Sequence, residues 1–132
     1  MTNSDAFDFL VCKILTDVCD SFPIKSNLFS SKYAPLISVD EKINVEIFYN
    51  TVRWLEHHGY LIIDSKMLGS DFYYVSPTEK TMLIMKTIPS TLVEKEKTLG
   101  QHIKDCVTSG TSDAFKDIVK TTLAMGVSAV LK

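Results

Sequence analysis

The sequence has little of what would suggest an extracellular or membrane protein. It contains three cysteines, an odd number at scattered positions, so we expect reduced, mostly buried thiols and no disulfide framework. No apolar run approaches the roughly 20 residues that a membrane-spanning helix needs. The first ten residues, MTNSDAFDFL, carry no basic patch before an apolar segment and so do not resemble a secretory signal. These absences predict a soluble, cytoplasmic protein without membrane contact.

Motifs that carry catalysis or bind cofactors are also missing. There is no glycine-rich phosphate loop, nucleophile elbow or His-Glu-x-x-His helix. His57 and His58 are adjacent, so on a helix they point about 100° apart and do not make a metal-ligand pair. Cys106 lies on an apolar helical stripe, which indicates a small core residue and not a nucleophile. The sequence therefore predicts no enzyme: no catalytic residue, no cofactor and no metal site.

Basic charge is scarce relative to acidic charge. The chain has 14 Lys and Arg against 16 Asp and Glu, a net charge of −2. Residues 1 to 60 hold 5 basic and 8 acidic side chains, which gives −3. No Lys/Arg stripe is present, although such a stripe is the usual footprint of a nucleic-acid-binding protein. The acidic first part of the chain instead suits a basic partner.

The sequence does contain strong helical periodicity. With 45% hydrophobic residues in a chain of 132, we expect one ordered, mainly α-helical domain. Apolar spacing predicts a first helix that carries its stripe from Phe7 to Val18 and is broken at Pro23, and a third helix over residues 40 to 58. A short second helix is predicted over residues 26 to 33, with Ser26 as its N-cap. The predicted core joins the first and third helices through Phe7, Leu10, Ile14, Phe48, Val52 and Leu55.

A small β-hairpin is predicted after the third helix. Gly59 suits the left-handed position just past a helix end, and residues 60 to 63 and 72 to 76 are β-prone runs. The segment SPTE follows, with Ser76 as N-cap, Pro77 at the first helical position and Glu79 completing a capping box. This pattern predicts a fourth helix over residues 77 to 87.

The last part of the chain is predicted to be a helical pair packed on the same core. Residues 1 to 88 form the first unit, residues 89 to 97 an exposed connector, and residues 98 to 132 the pair. In the last helix, Gly126 lies within the apolar stripe, which predicts that another helix approaches closely there. We expect this pair to extend into a homodimer contact.

This order of elements across residues 5 to 88 resembles the winged helix-turn-helix superfamily. The segments IFYNTVRWLEHHGYLII and FYYVSPTEKTMLIMK carry the resemblance, and the appended tail is similar to that of small winged-helix proteins of phage and mobile elements. The resemblance implies that the third helix lies in the DNA major groove and the wing along the backbone. Its implied DNA-binding residues are Lys42, Asn50, Arg53 and His57 on the outward face of the third helix, and Lys66 in the wing loop.

Charge weakens this DNA interpretation. Asn50 and Arg53 can make bidentate contacts with base edges, but the favoured interpretation is a solvated helix face with Arg53 paired to Glu56 or Asp64. Three acidic residues crowd the start of the third helix and would repel phosphates: Asp40, Glu41 and Glu46. Any DNA binding is therefore expected to be weak and dependent on salt.

A flank of the third helix offers another kind of surface. Ile43, Ile47 and Trp54 lie on this flank, where Trp54 either packs against the wing or tail, or forms a patch for a protein partner. We predict a non-catalytic protein that binds a protein partner through these residues, as an inhibitor, an immunity-type neutraliser or an accessory subunit. The alternative is a DNA-binding transcriptional regulator. Fold alone does not decide between them.

Overall fold

The computed structural model describes residues 1–64, 69–87, 96–109 and 112–131. Within these ranges the chain forms six α-helices, a short 3-10 helix and three strands. In chain order they are α1 (Asn3–Ser21), β1 (Ser26–Leu28), α2 (Ser30–Tyr33), the 3-10 helix (Ala34–Leu36), α3 (Glu41–His57), β2 (Leu61–Ile63), β3 (Phe72–Pro77), α4 (Glu79–Lys86), α5 (Leu99–Ser109) and α6 (Ser112–Leu131). The predicted mainly α-helical class is confirmed, and the order from α1 to β3 is loosely compatible with a winged-helix-like core.

The packing of α1 against α3 forms the centre of the molecule. Five of the six predicted core residues are fully buried: Leu10, Ile14, Phe48, Val52 and Leu55. Burying each large apolar side chain stabilises the fold by roughly 1.5 to 3 kcal/mol. The sixth, Phe7, is only half-buried and lies at the edge of this core. Its position there makes it available to a surface groove.

The sheet has three strands, in the order β1-β3-β2, and not the two of the predicted hairpin. The prediction of a helix beginning at Ser26 was wrong, because residues 26 to 28 pair antiparallel with β3. This pairing buries Leu28 completely opposite Phe72. The side chain of Asn27 also accepts a hydrogen bond of 3.2 Å from the Tyr74 amide. Helix α2 begins only at Ser30, whose amide donates to the Asp71 carboxylate at 2.8 Å.

The turn after α3 follows the prediction. Asp40 caps the start of the helix by accepting a hydrogen bond of 3.0 Å from the Lys42 amide. At the other end, Gly59 has a φ of +80°, the left-handed conformation that glycine adopts without strain. The Tyr60 amide then donates to the Leu55 carbonyl oxygen at 2.8 Å. This turn sends the chain directly into β2.

The start of α4 lies two residues later than predicted. Pro77 belongs to β3, where it pairs with Leu61, and Ser76 pairs with Ile62. The N-cap is Thr78, whose hydroxyl oxygen accepts from the Thr81 amide at 3.2 Å. The predicted capping box from Ser76 to Glu79 was therefore wrong. Strand pairing holds residues 76 and 77 extended, so the helix cannot begin there.

Helices α5 and α6 pack on the same core as the rest of the chain. One buried cluster includes Leu99 and Ile103 of α5, Ile118 and Val119 of α6, and the central residues of α1. Most of the predicted connector, residues 89 to 95, lies outside the described residues. No helix in the described part of the chain is both long enough and apolar enough to span a membrane.

Gly126 has a neighbour of a different kind from the predicted one. A Cβ at this position would lie 1.9 Å from the Tyr60 hydroxyl oxygen and 2.7 Å from the ring carbon that bears it. The close approach is therefore made by an aromatic ring and not by another helix. Tyr60 follows the turn at Gly59, and that turn directs its ring toward α6.

Candidate functional site

A groove of about 510 Å³ lies beside the start of α1 and the flank of α3, and we call it the first groove. Its lining residues are Asn3, Phe7, Ile43, Glu46, Ile47, Asn50, Thr51 and Trp54. The structure thus brings together the three residues predicted for partner binding: Ile43, Ile47 and Trp54. All three are half-buried, so each combines a packed side with an accessible one.

Trp54 forms one end of the first groove and is held in place by rings. Phe7 meets it edge to face, with the ring centroids 5.3 Å apart. His58, one helical turn later, lies 4.0 Å from it, and Tyr60 stacks nearly parallel at 6.2 Å. Aromatic pairs with these geometries add to the stabilisation from buried area. Trp54 therefore packs against α1 and the start of the sheet while keeping one side on the surface.

The polar groups of the first groove are acidic or neutral. Glu46 is exposed, and no ion pair engages it within the described ranges. Asn50 is exposed as well, and its side-chain amide donates to the Glu46 carbonyl oxygen at 3.0 Å. Asp40 and Glu41 are exposed at the nearby start of α3. The groove thus has an apolar floor beside a locally acidic helix end.

The residues proposed for DNA contact are exposed where the structure describes them. Lys42, Asn50, Arg53 and His57 all lie on the accessible side of α3. Arg53 Nε is 3.7 Å from the Glu56 carboxylate, the local pairing that the sequence offered as an alternative. Lys66 lies outside the described residues. The exposed face of α3 is therefore a mixture of charges and not a basic stripe.

A second groove, of about 760 Å³, lies on the other side of Trp54. It is lined by Trp54, His57, His58, Gly59, Tyr60, Lys80, Leu123, Gly126 and Val127. The Lys80 ammonium lies 4.1 Å from the centroid of the Tyr60 ring, within the range of a cation–π contact. It also donates to the His58 carbonyl oxygen at 2.7 Å. Burial lowers the pKa of Lys80 and raises that of Tyr60.

The cysteines are free thiols in packed surroundings. Cys12 and Cys106 are buried and Cys19 is half-buried. Burial raises the pKa of Cys19 and of Cys106 to about 11, and raises that of Cys12 further. A nucleophilic cysteine needs the opposite shift. Among the described residues, no group of three or more His, Cys, Asp or Glu side chains could hold a metal ion.

Sequence reasoning missed the residues that reach the two grooves from distant segments. Phe7 had been assigned to the core, and Tyr60, Lys80 and Leu123 had been given no functional role. Helical periodicity reports the exposed face of one helix but not the residues that neighbouring elements place beside it. A sequence signal that could have indicated the grooves is the presence of Trp54 and Tyr60 near one helix end. Each of these side chains combines an apolar ring with a polar group.

Comparison of the chain with protein-family models, with characterised proteins and with solved structures found no match.

Proposed function

We propose that this chain is a non-catalytic protein whose first groove binds a protein partner. The observation that carries the proposal is the convergence of Phe7, Ile43, Ile47 and Trp54 on one accessible groove. Half-buried aromatic and aliphatic side chains of this kind are the usual anchors of protein interfaces. The proposed role is that of an inhibitor, an immunity-type neutraliser or an accessory subunit that acts in the cytoplasm.

The charges beside the groove favour a basic partner. Glu46 lines the groove, and Asp40 and Glu41 stand exposed at the start of the same helix. A contact segment that presents apolar side chains next to Lys or Arg would satisfy both the groove floor and these carboxylates. Charge complementarity of this type raises the association rate and selects the partner, and salt weakens it.

The experiment compares partner capture by three forms of the full chain in its native cell. Tagged wild-type protein, Ile47→Ser and Val45→Ser are used, with bound proteins quantified by mass spectrometry at low and moderate salt. Val45 is the matched control, because it is an exposed aliphatic residue of α3 that does not line the groove. A basic protein should be retained by wild type and Val45→Ser and lost from Ile47→Ser.

The captured protein is then purified and its Kd for each form measured. Removing an interface anchor should raise Kd by roughly tenfold or more. Glu46→Lys should weaken binding at low salt and have less effect at high salt. If wild type and Ile47→Ser bind the captured protein equally well, or if wild type retains no protein above the untagged control, the proposal is wrong.

The second candidate function is that of a DNA-binding transcriptional regulator. Its supporting observation is the exposure of Lys42, Asn50, Arg53 and His57 along one helix. The test is titration of the full chain with mixed duplex DNA at low and moderate salt, using wild type and Arg53→Ala. Tight sequence-specific binding at physiological salt that Arg53→Ala abolishes would favour this function over protein binding. We expect only weak binding that salt removes.

A further inference from the structure

The second groove differs in charge from the chain as a whole. The chain carries a net charge of −2, yet none of the described residues that line this groove is a carboxylate. Its nitrogen-bearing side chains come from two segments: Trp54, His57 and His58 lie at the end of α3, and Lys80 lies on α4. An imidazole can donate a hydrogen bond in its neutral as well as its charged form. The groove therefore presents donors to a ligand and no carboxylate to repel an anion.

Lys80 retains donor capacity that no side chain or carbonyl in the described ranges takes up. A lysine ammonium has three donors, and one of them is directed to the His58 carbonyl oxygen at 2.7 Å. The charge rests over the Tyr60 ring, and desolvation lowers the pKa of Lys80. An ammonium partly withdrawn from water gains more from an anionic partner than a fully solvated one does. Lys80 is thus a candidate anchor for negative charge in this groove.

The walls of the groove are largely apolar. Trp54 contributes a half-buried ring beside the buried ring of Tyr60, and α6 contributes Leu123 and the exposed Val127. A volume of about 760 Å³ lies within the range of roughly 300 to 1,000 Å³ that is typical of small-molecule sites. These apolar surfaces suit a ligand with a planar or aliphatic part better than a hydrated inorganic ion.

We infer that the second groove binds a small organic anion with an aromatic or aliphatic body. The carboxylate of the ligand pairs with the Lys80 ammonium, and its body lies against Trp54 and the apolar side chains of α6. This site shares Trp54 with the first groove but none of its other lining residues, and it needs no protein partner to form. Binding requires both the carboxylate and the apolar part of the ligand. A ligand without the carboxylate would not pair with the Lys80 ammonium, and an anion without the apolar part would not contact the groove walls.

The test uses 1-naphthoate as the probe and Trp54 as the reporter. Trp54 is the single tryptophan of the chain and lines both grooves, so its fluorescence reports binding in either groove and the variants below assign the groove. Titration of the full chain with 1-naphthoate should give saturable quenching. The uncharged analogue 1-naphthalenemethanol has the same aromatic body and should bind roughly tenfold more weakly or worse. Equal affinity for both compounds would overturn the inference.

Four variants locate the binding. Lys80→Met should raise the Kd for 1-naphthoate by roughly tenfold, whereas the matched control Lys86→Met, an exposed lysine of the same helix, should not. Val127→Glu adds a carboxylate at the exposed rim and should also weaken binding. Ile43→Ala, in the first groove, should leave Kd unchanged. If Val127→Glu binds 1-naphthoate as tightly as wild type, or if only Ile43→Ala binds it more weakly, the ligand does not occupy the second groove. These two variants decide the question even if Lys80→Met fails to fold.

Discussion

Gly126 occupies a point where the side chain of any other residue would collide with Tyr60. We expect Gly126→Ala to destabilise the protein by about 2 kcal/mol, because overpacking outweighs the gain of about 1 kcal/mol in helix propensity. Urea unfolding measures the change. Tyr60→Phe in the same background removes the hydroxyl contact and should recover part of the loss, but the ring carbon would remain 2.7 Å from the new Cβ. A stabilised Gly126→Ala would show that the contact is absent.

The thiols of Cys19 and Cys106 are predicted to react slowly. With a pKa of about 11, each is about 0.1% thiolate at pH 8, against roughly a quarter for an unperturbed cysteine. Alkylation of the native protein by iodoacetamide should therefore be about two-hundredfold slower than that of the denatured protein. Mass spectrometry of timed samples gives both rates. Native Cys19 or Cys106 reacting as fast as in denaturant would contradict the burial.

The same thiols determine how stability varies at alkaline pH. Their folded pKa lies above the unfolded value of about 8.5, so the folded state holds these protons more firmly. The stability from this difference is present below about pH 8.5 and is lost as pH rises toward 11. Replacement of Cys19 by Ser should make the unfolding free energy fall less steeply between these pH values.

Among the helices, α4 depends on a cap that also connects it to the end of α3. The Thr78 hydroxyl accepts from the Thr81 amide and donates to the Gly59 carbonyl oxygen at 2.7 Å. Thr78→Ala should cost about 1 to 2 kcal/mol, since two polar groups lose a partner. Ser76→Ala is the control and should change stability by less than about 0.5 kcal/mol. Urea unfolding measures both changes. A larger loss of stability in Ser76→Ala than in Thr78→Ala would indicate that Ser76 is the N-cap.

Element boundaries could be predicted where the deciding interactions are local. The periodicity of α3 and the glycine after it are properties of neighbouring residues, and both predictions agree with the structure. Strand β1 depends on β3, more than 40 residues later in the chain, and three residues are too few to show a period. The cap at Thr78 was missed for the same reason, because pairing with β2 keeps Pro77 in the sheet.

In the candidate site, too, the residues placed by local sequence could be predicted and those placed by long-range packing could not. Ile43, Ile47 and Trp54 share one flank of a helix, so their proximity followed from helical spacing alone. The residues that complete the two grooves come from α1, α4 and α6. Their approach depends on packing between helices, which no local pattern reports. The apolar floor of the first groove was thus predictable only on its α3 side.

At the scale of the whole molecule, the homodimer remains a prediction. Val127 on α6 is 60% exposed. An aliphatic side chain this accessible would be covered if two copies met through the C-terminal helices. Sedimentation equilibrium should show a dimer that Val127→Glu weakens. Sedimentation of wild type as a monomer at high concentration would contradict it.

Tyr60 contacts three parts of the chain at once. Its ring stacks on Trp54 of α3, supports the Lys80 ammonium of α4 and fills the space above Gly126 of α6. Undocking of α6 would expose this ring and remove one wall of the second groove. We therefore expect opening of the tail to loosen the start of the sheet. Amide hydrogens of α6 and β2 should then exchange with solvent as one cooperative unit, with similar opening free energies.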